Sequence, residues 1–219
     1  MQKIINIDWE TGIKEVANNS VDLVLTDPPY GMSYQSNRRK EKHKSIKNDT
    51  NLDWVGEWCE ELKRVTKDDA HLYVFCSWHN VEVFKHFLGQ HFNVKNILIW
   101  EKNNHGSGDL LGDYAPKYEM IIFCSNGQKK LKGGRDANVI KSPKTLNTFH
   151  PTEKPVDLLA YLIEKSTDKG DLVLDTFAGS CSTAIASRQT GRVCVCFEIE
   201  EDYCKHGTKL LLATSERMF

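Results

Sequence analysis

The chain has 219 residues, 40% of them hydrophobic, and a net charge of −1. That is enough for one α/β domain with a real core, and it leaves little room for a second full domain. No apolar run approaches the ~18–20 residues of a membrane span, and the N-terminus lacks the long apolar region and cleavage site of a signal peptide.

Lys3–Ile7 alternates weakly, ends at Asp8 and reads as a first strand. A short helix is expected over Thr11–Asn18. Val21–Thr26 is an apolar run of strand length that stops at Asp27-Pro28-Pro29-Tyr30. Proline lacks the N–H that a central strand needs, so Asp27 sits at the strand's C-terminal end. In an open α/β sheet that edge binds ligands. Residues 31–52 are polar and aperiodic, and connections of that length in compact domains are usually functional or disordered.

Trp54, Val55, Trp58, Cys59, Leu62 and Val65 recur at helical spacing, which predicts an amphipathic helix over Asp53–Thr66 with Asp53 as its N-cap. A strand over His71–Cys76, a helix over Asn80–Gln90 and a strand over Val94–Trp100 follow. Residues 101–117 read as loop, and Tyr118–Ser125 as a buried strand. After a second basic segment comes His150-Pro151-Thr152-Glu153-Lys154-Pro155, with Val156, Leu159, Ala160 and Ile163 at helical spacing behind it. Proline is tolerated at such a helix start. Leu172–Asp175 is a strand, Thr176–Thr183 a small-residue turn, and Ala184–Arg188 opens a helix that Gly191 ends. Val193–Phe197 is a strand ending at Glu198, and Glu201–Thr214 a final helix. Strands alternating with helices predict a doubly wound, largely parallel α/β sheet in one domain over 1–219, with 31–52 and 126–149 as inserted basic segments.

The seven cysteines form no C-x-x-C pair and mostly lie in apolar elements. They read as reduced core residues of a cytoplasmic protein, with no zinc site and no disulfide framework. Charge is unevenly spread. Residues 31–49 carry six basic against two acidic side chains, and residues 129–144 carry six against one. Two basic segments on an acidic body suit a local phosphate-binding surface, although either segment alone is equally consistent with a solvated loop.

Asp27 offers a carboxylate, Pro28 a carbonyl without an N–H, and Tyr30 a flat ring. Two acceptors beside a stacking surface suit an exocyclic amino group on a planar base. Farther on, a strand, small-residue turn and helix over 171–187, followed by a strand ending in Glu198, form a mononucleotide-binding unit. There Gly179 allows close backbone approach, and an acid at Glu198 suits ribose hydroxyls. A dinucleotide loop would read G-x-G-x-x-G; only Gly179 is present, which disfavours a nicotinamide oxidoreductase.

On these residues the chain resembles the DNA amino-methyltransferases, whose motif is Asp/Asn/Ser-Pro-Pro-Tyr/Phe. Asp175-x-Phe177-x-Gly179-Ser180 resembles their S-adenosylmethionine loop, commonly Asp-Pro-Phe-x-Gly-Ser-Gly-Thr-Thr. The chain departs from it at Thr176, Cys181 and Ser182. A cysteine at 181 costs energy if that position needs a positive φ. His150–Pro155 resembles the family's His-Pro-Thr-Gln-Lys-Pro segment. The catalytic motif comes first and the cofactor loop last, as in the circularly permuted beta class.

The resemblance implies S-adenosylmethionine as cofactor and DNA as partner, leaves a homodimer open, and requires neither metal nor membrane. It implies Asp27, Pro28, Pro29 and Tyr30 as the catalytic set. It implies Asp8, Asp27, Thr152, Lys154, Asp175, Phe177, Gly179, Ser180, Ser182 and Glu198 around the cofactor. Phosphate and base contacts fall to Tyr34, Arg38, Arg39, Lys40, Lys42, Lys130, Lys132 and Arg135, with Arg135, Asn138 and Asn147 as base-edge readers. The duplex hides the amine, so the base must flip out. Asp in the first motif position favours adenine over cytosine by family habit. The alternatives are the 4-amino group of cytosine, an RNA or protein amino-methyltransferase, and an inactive nucleic-acid-binding relative.

Overall fold

The central strands of the sheet are apolar runs because helices cover both of its faces there. In β2 (Val21–Thr26) every residue is buried. The computed structural model describes residues 1–30, 52–106, 111–145 and 153–215. Along the chain β1 (Gln2–Asn6) leads to α1 (Trp9–Gly12) and a 3₁₀ turn (Ile13–Glu15), then to β2. Next come α2 (Val55–Val65), β3 (Thr66–Cys76), α3 (Val81–His91), β4 (Asn93–Glu101), β5 (Tyr118–Asn126) and β6 (Val139–Lys141). The chain closes with α4 (Val156–Ser166), β7 (Leu172–Asp175), α5 (Ser182–Gln189), β8 (Val193–Glu198) and α6 (Glu201–Leu212).

The described strands form one sheet of order β1-β8-β7-β2-β3-β5-β4-β6. Only β5 runs against its neighbours; the other pairings are parallel. One core lies between the sheet and α4, α5 and α6, around Leu23, Leu25, Tyr73, Phe75 and Leu159. The other lies under α1, α2 and α3, around Val24, Leu72, Val74, Trp58 and Phe84. Successive residues of β2 and β3 feed opposite cores, as the two-residue period of a strand requires. The expected doubly wound, mostly parallel fold is present.

Four local expectations are corrected. The first helix starts early, at Trp9, because the Asp8 carboxylate accepts the Glu10 N–H at 3.0 Å. It also stops early, because Arg64 of α2 takes the Ile13 and Val16 carbonyls at 2.7 and 2.9 Å and draws that stretch out of helical geometry. The position before α2 is held by Trp54 rather than Asp53. β3 begins at Thr66, straight out of α2, rather than at the expected His71: Thr66 pairs with Val21, Lys67–Asp69 bridge a register irregularity, and regular pairing with β5 and β2 resumes at Ala70 and His71. Finally, Val139–Lys141, inside the second basic segment, adds an edge strand along β4. All seven cysteines are buried and free. Among the described residues no helix is long and apolar enough to cross a membrane.

Candidate active site

The winding of the sheet reverses between β2 and β7. From β2 the chain crosses to β3 on one side, and from β7 to β8 on the other. Ligands of open α/β sheets bind outside the carboxyl ends of the strands at such a switch point. The two motifs singled out in the sequence, at residues 27–30 and 175–183, emerge there side by side. The Thr26 and Thr176 hydroxyls lie 3.3 Å apart, and the Trp58 indole N–H donates to Thr176 at 3.1 Å. Thr176 stands where the family loop commonly has proline, which offers no hydroxyl to tie the turn to β2 and α2.

On the β2 side, Asp27 is the centre of a charge network drawn from distant segments. The Tyr30 hydroxyl donates to Asp27 Oδ1 at 2.5 Å. The Lys154 ammonium, on the segment leading into α4, donates to Asp27 Oδ2. Lys154 Nζ also lies 3.2 Å from Glu119 Oε2 on β5, and Lys102 Nζ beyond β4 lies 2.6 Å from Glu119 Oε1. The Lys154 ammonium sits 5.0 Å over the Phe75 ring. The loop is anchored at its far end, where Asn80 donates to the Tyr30 carbonyl at 2.8 Å and accepts from the Ser77 N–H at 3.1 Å.

Burial pushes the Asp27 carboxyl above its usual range; Lys154 opposes this and Glu119 adds to it. Burial also works against the Lys154 ammonium, but the two carboxylates outweigh it and hold its pKa above the ordinary lysine value. Burial and the Asp27 charge raise the Tyr30 phenol well above its ordinary value, so it is a neutral donor.

On the β7 side the turn is held by its own backbone. The Gly179 N–H donates to Glu198 Oε2 at 2.6 Å, and the Glu200 N–H donates to Oε1 at 2.8 Å. The Phe177 N–H donates to Asp175 at 3.1 Å, and the Ser180 and Ser182 hydroxyls lie 2.9 Å apart. Burial raises the Asp175 carboxyl to about 6 and Glu198 to about 7, the hydrogen bonds to each working the other way. Phe177 packs among Trp9, Trp54 and Trp58, at ring separations of 6.3, 5.4 and 6.0 Å. Asp8 lies beside this turn, because the Ile7 N–H pairs with the Glu198 carbonyl at 3.0 Å.

Cys181 has φ 61 and ψ 24, the left-handed conformation that a non-glycine residue avoids. Its room comes from α6. A Cβ added at Gly207 would sit 2.5 Å from both Cβ and Sγ of Cys181. The departure at 181 and an otherwise costly glycine inside a helix therefore explain each other.

The predicted basic residues divide. Tyr34, Arg38, Arg39, Lys40 and Lys42, together with Thr152 and Asn147, lie outside the described residues. The structure does not bring Lys130, Lys132 and Arg135 to Asp27. β5 runs away from that edge, Met120 pairing with Cys76 and Asn126 with Ala70. The Lys132 N–H then donates to the Lys165 carbonyl at 2.9 Å, and its ammonium pairs with Asp168, just past the end of α4. Since α4 has 11 residues and starts next to Lys154, this places them about 16 Å down the molecule. β6 carries the chain back up, so Lys141 and Lys144 lie at the catalytic edge together with Lys117.

Glu119, Lys102 and Asn80 were not legible as site residues. Glu119 is the second residue of β5 and directly precedes its apolar run Met120–Cys124, and that charge is the one sequence signal available. Asn80 reads as a helix cap, and only tertiary contact ties it to Tyr30.

Comparison with known proteins matches this architecture. The family model for DNA methylases of the N6-adenine and N4-cytosine type matches residues 21–209. The Escherichia coli (strain K12) protein YubD is 32% identical over 219 residues, covering 100% of this chain and 93% of its own. DNA adenine methyltransferase YhdJ of the same organism is 27% identical over 244 residues, covering 95% of this chain and 82% of its own. The crystal structure of the M1.HpyAVI–SAM complex has the same fold, with a TM-score of 0.77 at 24% identity over 96% of this chain and 100% of that one. The chain belongs to the N6-adenine/N4-cytosine family of DNA methylases, enzymes that take their methyl group from S-adenosylmethionine.

Proposed function

We propose that this chain methylates the 6-amino group of a flipped-out adenine in DNA, and that it is a member of the permuted, beta-class branch. The observation that carries the reading is the meeting of Asp27-Pro28-Pro29-Tyr30 and the 175–183 turn across one crevice. Asp at the first motif position, and the likeness to a protein named as a DNA adenine methyltransferase, support adenine over cytosine. The catalytic motif preceding the cofactor turn in the chain supports the permuted order.

The donor set on the β7 side fits S-adenosylmethionine. Gly179 has no Cβ to block close approach. Glu198 and Asp8 present carboxylates at adjacent strand ends, toward ribose hydroxyls and the adenine amino group. Asp175, Phe177, Ser180 and Ser182 line the turn, and Thr152 and Lys154 complete the expected set. Among the described residues the Trp9 indole N–H is buried without a hydrogen-bond partner beside Phe177. When bound, the cofactor supplies an electrophilic methyl group on a sulfonium whose sulfur is the leaving group.

The amine's lone pair is delocalised into the ring, which makes it a poor nucleophile. Asp27 accepts one amino N–H and the Pro28 carbonyl the other. This draws the nitrogen toward tetrahedral geometry and aims the lone pair at the methyl group. Pro29 stiffens the loop, and Tyr30, pinned by its hydroxyl to Asp27 and by its carbonyl to Asn80, presents a fixed ring against the base. With its pKa raised by burial, Asp27 is also the nearest base for the proton that the methylated nitrogen sheds. The segment after Tyr30, with Tyr34, Arg38, Arg39, Lys40 and Lys42, joins Lys117, Lys141 and Lys144 in holding phosphates. Lys130, Lys132 and Arg135 meet the duplex only if it extends along the α4 side.

The test is direct. DNA methylated by the purified protein with labelled S-adenosylmethionine is digested and its nucleosides separated. N6-methyladenine is the expected product; N4-methylcytosine would move the chain to the cytosine branch, and label in RNA or protein alone would overturn the DNA reading.

A further inference from the structure

Both oxygens of Asp27 are engaged, Oδ1 by Tyr30 and Oδ2 by Lys154. This conflicts with the proposed chemistry, on which the present inference rests. An ammonium on Oδ2 competes with the amino group for the same acceptor. It also places a positive charge next to a nitrogen that becomes positive as the methyl group arrives, and such a charge raises the barrier. Lys154 must therefore give ground as the substrate binds.

Glu119 offers the place to go. Its Oε1 is taken by Lys102 at 2.6 Å. Its Oε2 lies 3.2 Å from Lys154 Nζ, a longer contact than the one Lys154 makes to Asp27, and among the described residues this buried oxygen has no well-formed hydrogen bond. A buried acceptor held only by a loose ion pair, within reach of that donor, is a position the donor can close onto. We propose that Glu119 is a positioning residue which takes the Lys154 ammonium from Asp27 when the amino group arrives, freeing Oδ2 for the substrate. Lys102 steadies Glu119 from the other side, so the four charges balance before and after the transfer. The movement is a small rotation of one lysine head between two carboxylates, and no covalent bond changes.

The groups facing Asp27 are Tyr30 on its own loop, Cys76 of β3, Glu119 of β5, Asp175 of β7 and Lys154 before α4. Of these, Glu119 is the one whose removal lowers the Asp27 pKa while leaving its direct partners in place. Glu119→Gln should therefore reduce kcat on the order of 10²-fold, the scale of a misplaced reacting group, and leave KM for S-adenosylmethionine within about twofold. Its acidic limb of kcat against pH should move to lower pH, and a merely structural role would not move that limb. Glu119→Asp keeps the charge and shortens the reach, so kcat should fall while the limb stays. It also serves if Glu119→Gln fails to fold.

A ¹³C titration of the Asp27 carboxyl, assigned with Asp27→Asn, reads the same shift without turnover. Wild-type protein that methylates no DNA sinks the reading above and the substrate hand-over with it, while the titration still decides whether Glu119 acts on Asp27. Wild-type kcat and an unmoved limb or titration in Glu119→Gln would overturn it.

Discussion

The turn after β7 and the loop after β2 face each other across one crevice, but they are held differently. The β7 turn is local. Its acids are tied to backbone N–H groups within the 175–200 stretch, and its shape follows from one glycine, one left-handed cysteine and a helix start. The Asp27 side is assembled from β2, the turn before α3, the end of β4, the start of β5 and the segment before α4, through side-chain charges. A site tied by neighbouring backbone tolerates distant change, whereas one balanced between four charged side chains responds to each of them.

The largest effect should come from breaking the Asp27 side alone. Asp27→Ala is expected to cut methyl transfer on the order of 10²–10³-fold, the scale for losing a group aimed at developing charge. Cofactor affinity should hold within about twofold, because the β7 turn does not depend on Asp27. Kinetics beside calorimetry with S-adenosylmethionine would check it, and near-normal turnover would remove Asp27 from its role.

Breaking the other side should give the converse. Glu198→Gln is expected to raise KM for S-adenosylmethionine about tenfold and to change kcat less, since ribose contacts exist equally before and in the transition state. The same variant should change stability with pH. Between the ordinary glutamate value of 4.5 and about 7, the folded chain holds a proton that the unfolded chain has released. That stability is fully present at the acid end of the window and is lost as pH rises through it. Glu198→Gln should therefore melt above wild type at pH 8 and close to it at pH 5. Thermal melts without cofactor would show the crossover, and a constant difference would contradict the raised pKa.

A smaller effect tests how self-contained the β7 turn is. Gly207→Ala should cost about 1–3 kcal/mol by overpacking against Cys181. Cys181→Gly should relieve roughly 1–2 kcal/mol of left-handed strain. The double variant should recover most of the loss, and additive values would mean that the two positions are not coupled.

The smallest effect separates the basic residues. Neutralising Lys141 and Lys144 should flatten the slope of log K against log salt by up to ~2, while neutralising Lys130 and Lys132 should leave it nearly unchanged. The reverse result would place the duplex along α4.

Much of this protein is determined by its sequence alone. Apolar runs ended by Asp27-Pro28, Asp175 and Glu198 specify parallel strands and their ligand edge, because proline and small-residue turns act locally. Local backbone physics also makes Cys181 legible as a strained position. Tertiary structure decided the rest. Glu119 shows in the sequence only as a charge beside an apolar run and Asn80 only as a helix cap, and both acquire their meaning where β5 and the turn before α3 reach Asp27. Lys130, Lys132 and Arg135 read as part of one basic segment with Lys141 and Lys144, but β5 and β6 run in opposite directions and carry the two groups to different ends of the sheet. Charge counted along a chain does not record which way the next strand points.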